Sequence, residues 1–197
     1  MPGLATTWMS QFYATLGDDR SATDELSDAS LTSELGRWTS SLTTVVVRTF
    51  EALGMPTAAK SHRCTVLPVK QHEYLGQDVM AFPAGSAGWQ FPAAVCELEN
   101  SASDDRVAYS LWKVLCVRCQ LRLVFCYRAE PKACVPLVVW LGTSVVKAIP
   151  IAERASLTGE TVVIVGSRDE ASTFPFGFFQ AWKLNTNTGL FERLARE

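Results

Sequence analysis

The sequence lacks an excess of basic residues, since its 18 lysines and arginines are outnumbered by 20 aspartates and glutamates. The formal net charge is therefore -2 at pH 7. Proteins that coat nucleic acids regardless of sequence gain their affinity from many cationic contacts with phosphates. The composition argues against such a coat, although it leaves room for a local basic cleft.

Long uninterrupted apolar runs are also lacking. The most apolar segment, residues 133–151, is interrupted by Pro136, Gly142, Lys147 and Pro150. A membrane-spanning helix needs about 20 consecutive apolar residues, so we expect a buried helix or strand here and no membrane association. The first stretch, MPGLATTWMSQFYATLGDD, lacks the basic start and long apolar core of a secretory signal. These absences predict a cytoplasmic protein.

Metal-binding patterns of cysteine and histidine are sparse. The chain has two histidines and six cysteines, with one CxxC spacing from Cys116 to Cys119. Cys126 and Cys134 do not repeat that spacing, as a typical four-ligand zinc site would. The cysteines lie mostly inside apolar runs, which favours reduced, buried side chains over a zinc site or a redox pair.

The chain does contain apolar segments with clear helical or extended periodicity. Its 197 residues are 48% hydrophobic and 19% charged, which suffices for one domain with a substantial core. A strand, a helix and a second strand in succession predict a parallel crossover. The fold class is therefore α/β, with a mixed central sheet flanked by helices. The predicted core elements are a helix, three strands, a helix and a strand, at 31–53, 64–69, 73–82, 93–99, 104–119 and 121–127.

The domain organisation follows from this order of elements. We expect a single domain over residues 1–197, with a core at about 31–128 and C-terminal additions at about 129–197. The additions are predicted to include a helix at 133–148 and a strand at 161–167. They form a C-terminal extension of the core.

Three carboxylates stand at the edges of segments that otherwise look like buried strands. Asp78 lies within one apolar run, and Glu97 and Glu99 end the next. Side chains alternate along a strand, so Glu97 and Glu99 share a face that Asp78 can reach from a neighbouring strand. Carboxylates that meet in this way repel one another unless a cation lies among them. Because oxygen ligands suit Mg²⁺ or Mn²⁺, we predict a metal site of Asp78, Glu97 and Glu99.

Structural roles for the same residues stay open at this point. Asp78 can be a hydrogen-bonded structural aspartate, although its apolar flanks make an unpartnered charge costly. Glu99 and Asn100 can form a solvated strand end that leads into a helix N-cap. The sequence alone does not choose between these roles and a metal site.

The segment EYLGQDVMAF, followed by AAVCELENS and AYSLWKVLCVRCQLRLVFCYR, resembles nuclease-like proteins of the PD-(D/E)XK superfamily. The resemblance covers roughly residues 31–128 and implies a restriction-endonuclease-like core of a helix, three strands, a helix and a strand. It matches Asp78 and Glu97 to the two acidic positions that hold Mg²⁺ or Mn²⁺. The implied activity is hydrolysis of phosphodiester bonds in DNA.

Glu99 departs from the usual pattern, because it stands where the motif of this superfamily normally has a lysine. A glutamate cannot stabilise the negative charge that develops on a phosphate. Some restriction endonucleases of the superfamily nevertheless carry a glutamate here. Lys113, on the following helix, is then the candidate for a displaced lysine. The resemblance thus implies a catalytic set of Asp78, Glu97, Glu99 and Lys113.

The alternative function is a catalytically inactive nuclease-like module. The missing lysine, the low basic content and the apolar additions after residue 130 favour this interpretation. Such a module would bind a protein partner or assemble as a homo-oligomer, and its carboxylates would bind metal weakly or not at all.

Two aromatic residues, Trp89 and Phe91, lie in the connection between two predicted strands. If they are exposed, their rings can stack on a nucleobase or contact a partner. If they fold back, they cap the core. The sequence leaves both arrangements open.

Overall fold

The computed structural model describes residues 3–32, 34–85 and 88–194, which form a seven-stranded sheet with helices on both faces. The strands follow one another across the sheet in chain order. They are β1 (Thr57–Ala59), β2 (Val79–Ala81), β3 (Ala94–Leu98), β4 (Leu121–Arg128), β5 (Glu160–Ser167), β6 (Phe179–Asn185) and β7 (Leu190–Arg193). The helices are α1 (Leu4–Asp18), α2 (Arg20–Thr32), α3 (Leu35–Ala52), α4 (Asp104–Leu115), α5 (Cys134–Leu141) and α6 (Ile151–Ala155).

Strand direction divides the sheet into three parts. β1, β2 and β3 are antiparallel, β3, β4 and β5 are parallel, and β5, β6 and β7 are again antiparallel. The first parallel crossover passes through α4, and the second passes through α5 and α6. The predicted α/β class, with a mixed sheet flanked by helices, is therefore confirmed.

Strand β4 shows why the sheet needs a helical layer on each face. All of its residues before Arg128 are buried. Leu123 and Phe125 pack with α1, α2 and α3, whereas Val124 and Cys126 pack with α4 and α5. A strand buried on both faces is expected in the parallel part of an α/β sheet, which explains the continuous apolar run in its sequence.

The first helix belongs to the central core. Trp8 and Phe12 are fully buried and stack on each other, with ring centroids 5.2 Å apart. Both rings also contact Phe125 of β4. Residues before the predicted core thus complete one helical layer. Likewise β5, β6 and β7 continue the same sheet, so the predicted C-terminal additions are integral to it.

Two of the predicted strands differ from the structure. The strand predicted at 64–69 is wrong, and the edge strand β1 lies earlier in the chain. Pro68 lacks the amide hydrogen that strand pairing uses, and Val69 is exposed to solvent. The strand predicted at 73–82 is reduced to β2, because a 3₁₀ turn precedes it at Tyr74–Gly76.

The most apolar segment of the sequence forms α5 and a π-helical turn, Gly142–Val146. Leu137, Val138 and Leu141 of α5 are buried against the sheet, so the expected buried helix is confirmed. Within the three described ranges, no helix combines the length and the apolar character needed to cross a membrane.

We expect Phe12→Ala to lower the free energy of unfolding by about 3–5 kcal/mol, because it leaves a cavity between α1 and β4. Urea unfolding followed by circular dichroism measures this loss. Ile151→Ala is the control, since Ile151 is 68% exposed, and its effect should stay within about 0.5 kcal/mol. A loss below about 1 kcal/mol for Phe12→Ala would contradict the integral role of α1.

Candidate functional site

The predicted site residues gather at the end of the parallel strand pair β3–β4. Glu97 lies near the end of β3, and Glu99 follows that strand. Asp78 directly precedes β2, whose first residue, Val79, pairs with Cys96 of β3. The antiparallel register therefore brings Asp78 beside Glu97. Ligands of open α/β sheets usually bind at this carboxyl end of the strands.

Asp78 and Glu97 are fixed to each other through backbone amides. The N–H of Asp78 donates to Glu97 Oε1 at 3.3 Å, and the N–H of Leu98 donates to Asp78 Oδ2 at 2.7 Å. Glu97 is only 4% exposed, whereas Asp78 is half-buried. Two carboxylates are thus held close together and partly withdrawn from water.

Lys113 reaches this acidic pair from α4. Its Nζ atom lies 2.6 Å from Glu97 Oε2 and donates to the carbonyl oxygen of Gly76 at 2.8 Å. Side chains of a helix lean toward its N-terminus, which is the end of α4 nearest the end of β3. Lys113 therefore faces the carboxylates, as the displaced lysine of the sequence interpretation would have to do.

Burial dominates the electrostatics of the pair. Removal from water raises the pKa of Asp78 above its usual value and raises the pKa of Glu97 to about 7. Repulsion by neighbouring carboxylates acts in the same direction, from Asp78 on Glu97 and from Glu73 and Glu99 on Asp78. Hydrogen bonds to the backbone and the Lys113 ammonium lower both pKa values. A further proton or a bound cation would relieve this repulsion.

Glu99 is held by a different partner. Its Oε1 atom accepts the N–H of Ser101 at 2.7 Å, and its own N–H donates to the carbonyl oxygen of Phe125. The carboxylate still contributes to the raised pKa of Asp78. Among residues 3–32, 34–85 and 88–194, no three acidic, histidine or cysteine side chains form a group arranged to hold a metal. Asp78 and Glu97 form a pair, and the role of Glu99 as a third ligand stays a prediction.

The acidic pair nevertheless fits the donor set of Mg²⁺ or Mn²⁺. Mg²⁺ in proteins is usually held by one or two carboxylates, with waters and substrate oxygens as further ligands. A divalent cation between Asp78 and Glu97 would offset the repulsion by Asp78 that contributes to the raised pKa of Glu97.

A polar cleft of about 460 Å³ opens beside Asp78, between α3 and the turn that follows β1. Lys60 and His62 form one wall, and His62 Nε2 lies 3.3 Å from the hydroxyl of Thr44. The other wall was not predicted from the sequence, although its hydroxyls repeat at helical spacing on the polar side of α3. They belong to Thr39, Ser40, Thr43 and Thr44.

A larger cavity of about 700 Å³ lies between α1 and the strands β6 and β7. Its lining is mostly apolar and includes Met9 and Ala181, with Arg193 as the one side chain of that lining that is charged at neutral pH. None of the predicted site residues borders it. Of these two openings, only the smaller polar cleft is bordered by a predicted site residue, Asp78.

The cysteines contribute little to this site. Cys119 is buried, and burial raises the pKa of its thiol. Cys116 is exposed, so the expectation of burial is wrong for this residue. The reason is its place at the end of α4, where its side chain faces solvent. A buried, poorly ionised partner makes Cys116 and Cys119 a poor redox pair.

Trp89 and Phe91 are exposed, by 75% and 64% of their surface, which rules out core capping. They lie in the β2–β3 connection, at the opposite end of these strands from Asp78 and Glu97. The Phe91 ring packs against the guanidinium of Arg118, at 4.7 Å. Neither ring is placed to contact a substrate bound at the carboxylates.

We expect the metal-free protein to lose stability as the pH rises from about 4.5 to about 7, because Glu97 binds its proton more tightly when folded. The stabilisation by this proton is complete below the usual pKa of about 4.5 and is lost above the folded pKa of about 7. The free energy of unfolding should fall by an amount on the order of 1–3 kcal/mol across this range. Urea unfolding in EDTA across this range measures the slope. Glu97→Gln should flatten it, whereas the exposed control Glu130→Gln should not; identical slopes for wild type and Glu97→Gln would contradict the assignment.

No protein-family model, curated protein or solved structure matches this chain. The resemblance to the PD-(D/E)XK superfamily therefore stays a prediction that depends on the residues and their arrangement.

Proposed function

We propose that this protein is a divalent-metal-dependent nuclease that hydrolyses phosphodiester bonds in DNA. The observation that carries the proposal is the meeting of Asp78, Glu97 and Lys113 at the end of the parallel strand pair. Around them, α3, the three strands β1 to β3, α4 and β4 follow the order that the PD-(D/E)XK resemblance implies. Both the chemistry and the order of elements support this function.

Asp78 and Glu97 would hold the Mg²⁺ or Mn²⁺ ion. Such an ion, when bound, supplies Lewis-acid stabilisation of a phosphate oxygen and lowers the pKa of a bound water. Glu99, just past β3, is predicted to help bind the ion or orient the attacking water. Burial of Glu97 keeps the site partly free of competing solvent, which strengthens each electrostatic contact.

Lys113 would supply the positive charge that the motif usually obtains from the position of Glu99. An ammonium group has three donors, and two of them bond to Glu97 Oε2 and the carbonyl oxygen of Gly76. The third remains for a phosphate oxygen bound beside the acidic pair. There it would stabilise the negative charge that grows in the transition state.

The cleft beside Asp78 provides a path for the substrate backbone. Hydroxyl groups and cationic side chains are common contacts for the phosphates and sugars of nucleic acids. The α3 hydroxyls face Lys60 and His62 across this cleft, which Glu73 also lines. Three of these hydroxyls donate to carbonyl oxygens of α3, so Lys60 is the main donor for a phosphate there. A local polar cleft of this kind is consistent with nucleic-acid binding by a protein of net charge -2.

One observation favours the alternative, an inactive nuclease-like module for protein–protein interaction or homo-oligomeric assembly. The ammonium of Lys113 already neutralises Glu97 and ties it to the backbone at Gly76. The acidic pair can thus be satisfied without a metal ion, as a structural ion pair. Metal binding and cleavage distinguish this module from a nuclease.

We expect wild-type protein to bind Mn²⁺ and to cut plasmid DNA and oligonucleotides, and Asp78→Ala to lose both properties. The loss of cleavage should exceed about 100-fold, because the ion that activates water is no longer held. Calorimetric titration and a gel-based cleavage assay measure the two properties on the same preparations. Asp105→Asn, which removes an exposed carboxylate of α4, is the matched control. A wild type that neither binds Mn²⁺ nor cuts DNA would favour the inactive module.

Lys113→Met separates the roles of the ammonium and the acidic pair. We expect Mn²⁺ binding to persist or strengthen, because a competing cation is removed from Glu97. Cleavage should fall by about 10²–10³-fold, as for loss of one preorganised donor to a developing charge. Calorimetry and cleavage rates again measure the outcome. Cleavage at the wild-type rate would show that Lys113 has only a structural role.

A further inference from the structure

An exposed aromatic pair lies on α4, within one helical turn of Lys113. Tyr109 and Trp112 are 58% and 50% exposed, and their ring centroids are 6.0 Å apart at an interplanar angle of 32°. Tyr109 is four residues before Lys113, so the two side chains lie on one face of the helix. The Lys113 side chain leans over the turn that contains Tyr109.

A third apolar side chain is exposed beside the same ammonium group. Leu75 is 76% exposed, and the carbonyl oxygen of its neighbour Gly76 accepts the bond from Lys113. Leu75 has a φ of 56°, which is uncommon for a residue with a side chain. We call Leu75, Tyr109 and Trp112 the Lys113 patch. It lies near the acidic pair because Lys113, on the same helix as the two rings, bonds to Glu97 and to the residue after Leu75.

The charges around the aromatic pair are mixed, and the Lys113 ammonium among them is paired with Glu97. Arg106 precedes Tyr109 by three residues, and Lys113 follows it by four. Both cations therefore lie on the same side of Tyr109 on the helix surface. Asp105 lies on the other side and is exposed. An aromatic ring flanked by two cations is the arrangement by which proteins hold single-stranded nucleic acids, with the base on the ring and the phosphates on the cations.

We propose that Tyr109 and Trp112 stack on an unpaired base next to the phosphodiester bound at Asp78 and Glu97. The substrate would then be single-stranded DNA or DNA with an unpaired base at the cleavage point. The inference rests on the proposed nuclease function and specifies its substrate. A protein partner fits less well, because three side chains offer far less than the roughly 800 Å² that one partner buries in a standard interface.

The test compares one labelled oligonucleotide as a single strand and as a fully paired duplex. Anisotropy in Ca²⁺ measures binding, and the rate in Mn²⁺ measures cleavage. We expect wild type to prefer the single strand, and Tyr109→Ala and Trp112→Ala each to weaken single-strand binding by about 5- to 150-fold, the range for one stacked base. Duplex binding and Mn²⁺ affinity should not change. Tyr109→Phe keeps the ring and should retain single-strand binding. Trp89→Ala, at the opposite end of the strands, should behave as wild type.

The possible failures are distinguishable. One outcome is that wild type cuts DNA and that Tyr109→Ala and Trp112→Ala bind and cut single strands as well as wild type does. The stacking proposal is then wrong, and the nuclease proposal stands. If wild type binds Mn²⁺ but neither binds nor cuts any oligonucleotide, the nuclease proposal fails and the inference fails with it. If Tyr109→Ala abolishes self-association in sedimentation without changing nucleotide affinity, the patch is instead a contact between copies of the chain.

Discussion

The burial of one carboxylate, that of Glu97, is the constraint on which the arrangement of the site depends. An ionised carboxylate withdrawn from water is costly unless charges and hydrogen bonds compensate it. Here the compensation comes from the N–H of Asp78 and the ammonium of Lys113. Because Lys113 also bonds to Gly76, this single side chain ties α4, β3 and the segment before β2 together. The geometry of the site is thus inseparable from the solvation of Glu97.

The same constraint leaves two chemical states for the acidic pair. Its repulsion can be relieved by the Lys113 ammonium alone, or by a divalent cation with the ammonium turned partly to a phosphate. Whether the acidic pair holds a metal ion depends on the competition between these two cations at Glu97. That competition is possible because Lys113 reaches Glu97 from α4 and is not part of β3.

The position of the pair at the end of the sheet gives it access from both helical layers. On one side, α3 contributes the hydroxyl wall of the cleft beside Asp78. On the other, α4 carries Lys113 and the exposed rings of Tyr109 and Trp112. Under the proposed function, a nucleic-acid strand crossing the end of β3 would meet the polar cleft on one side and the aromatic rings on the other. The two layers that bury β4 therefore also frame the site.

Local sequence patterns were sufficient to predict β4 and α3, which are buried in a regular way along their length. The continuous apolar run of β4 and the helical periodicity of α3 each have one stable solution, so the α/β class and the parallel crossover follow from residue order alone. The strand expected at 64–69 failed because an apolar run becomes a strand only if a partner strand accepts its hydrogen bonds. The approach of Asp78 to Glu97 was predictable from the expected pairing of their neighbouring strands. The partner of each carboxylate was not, because it depends on register and on the approach of α4. Only the tertiary structure directs Lys113 to Glu97, since this ion pair joins groups that are near in space and distant in sequence.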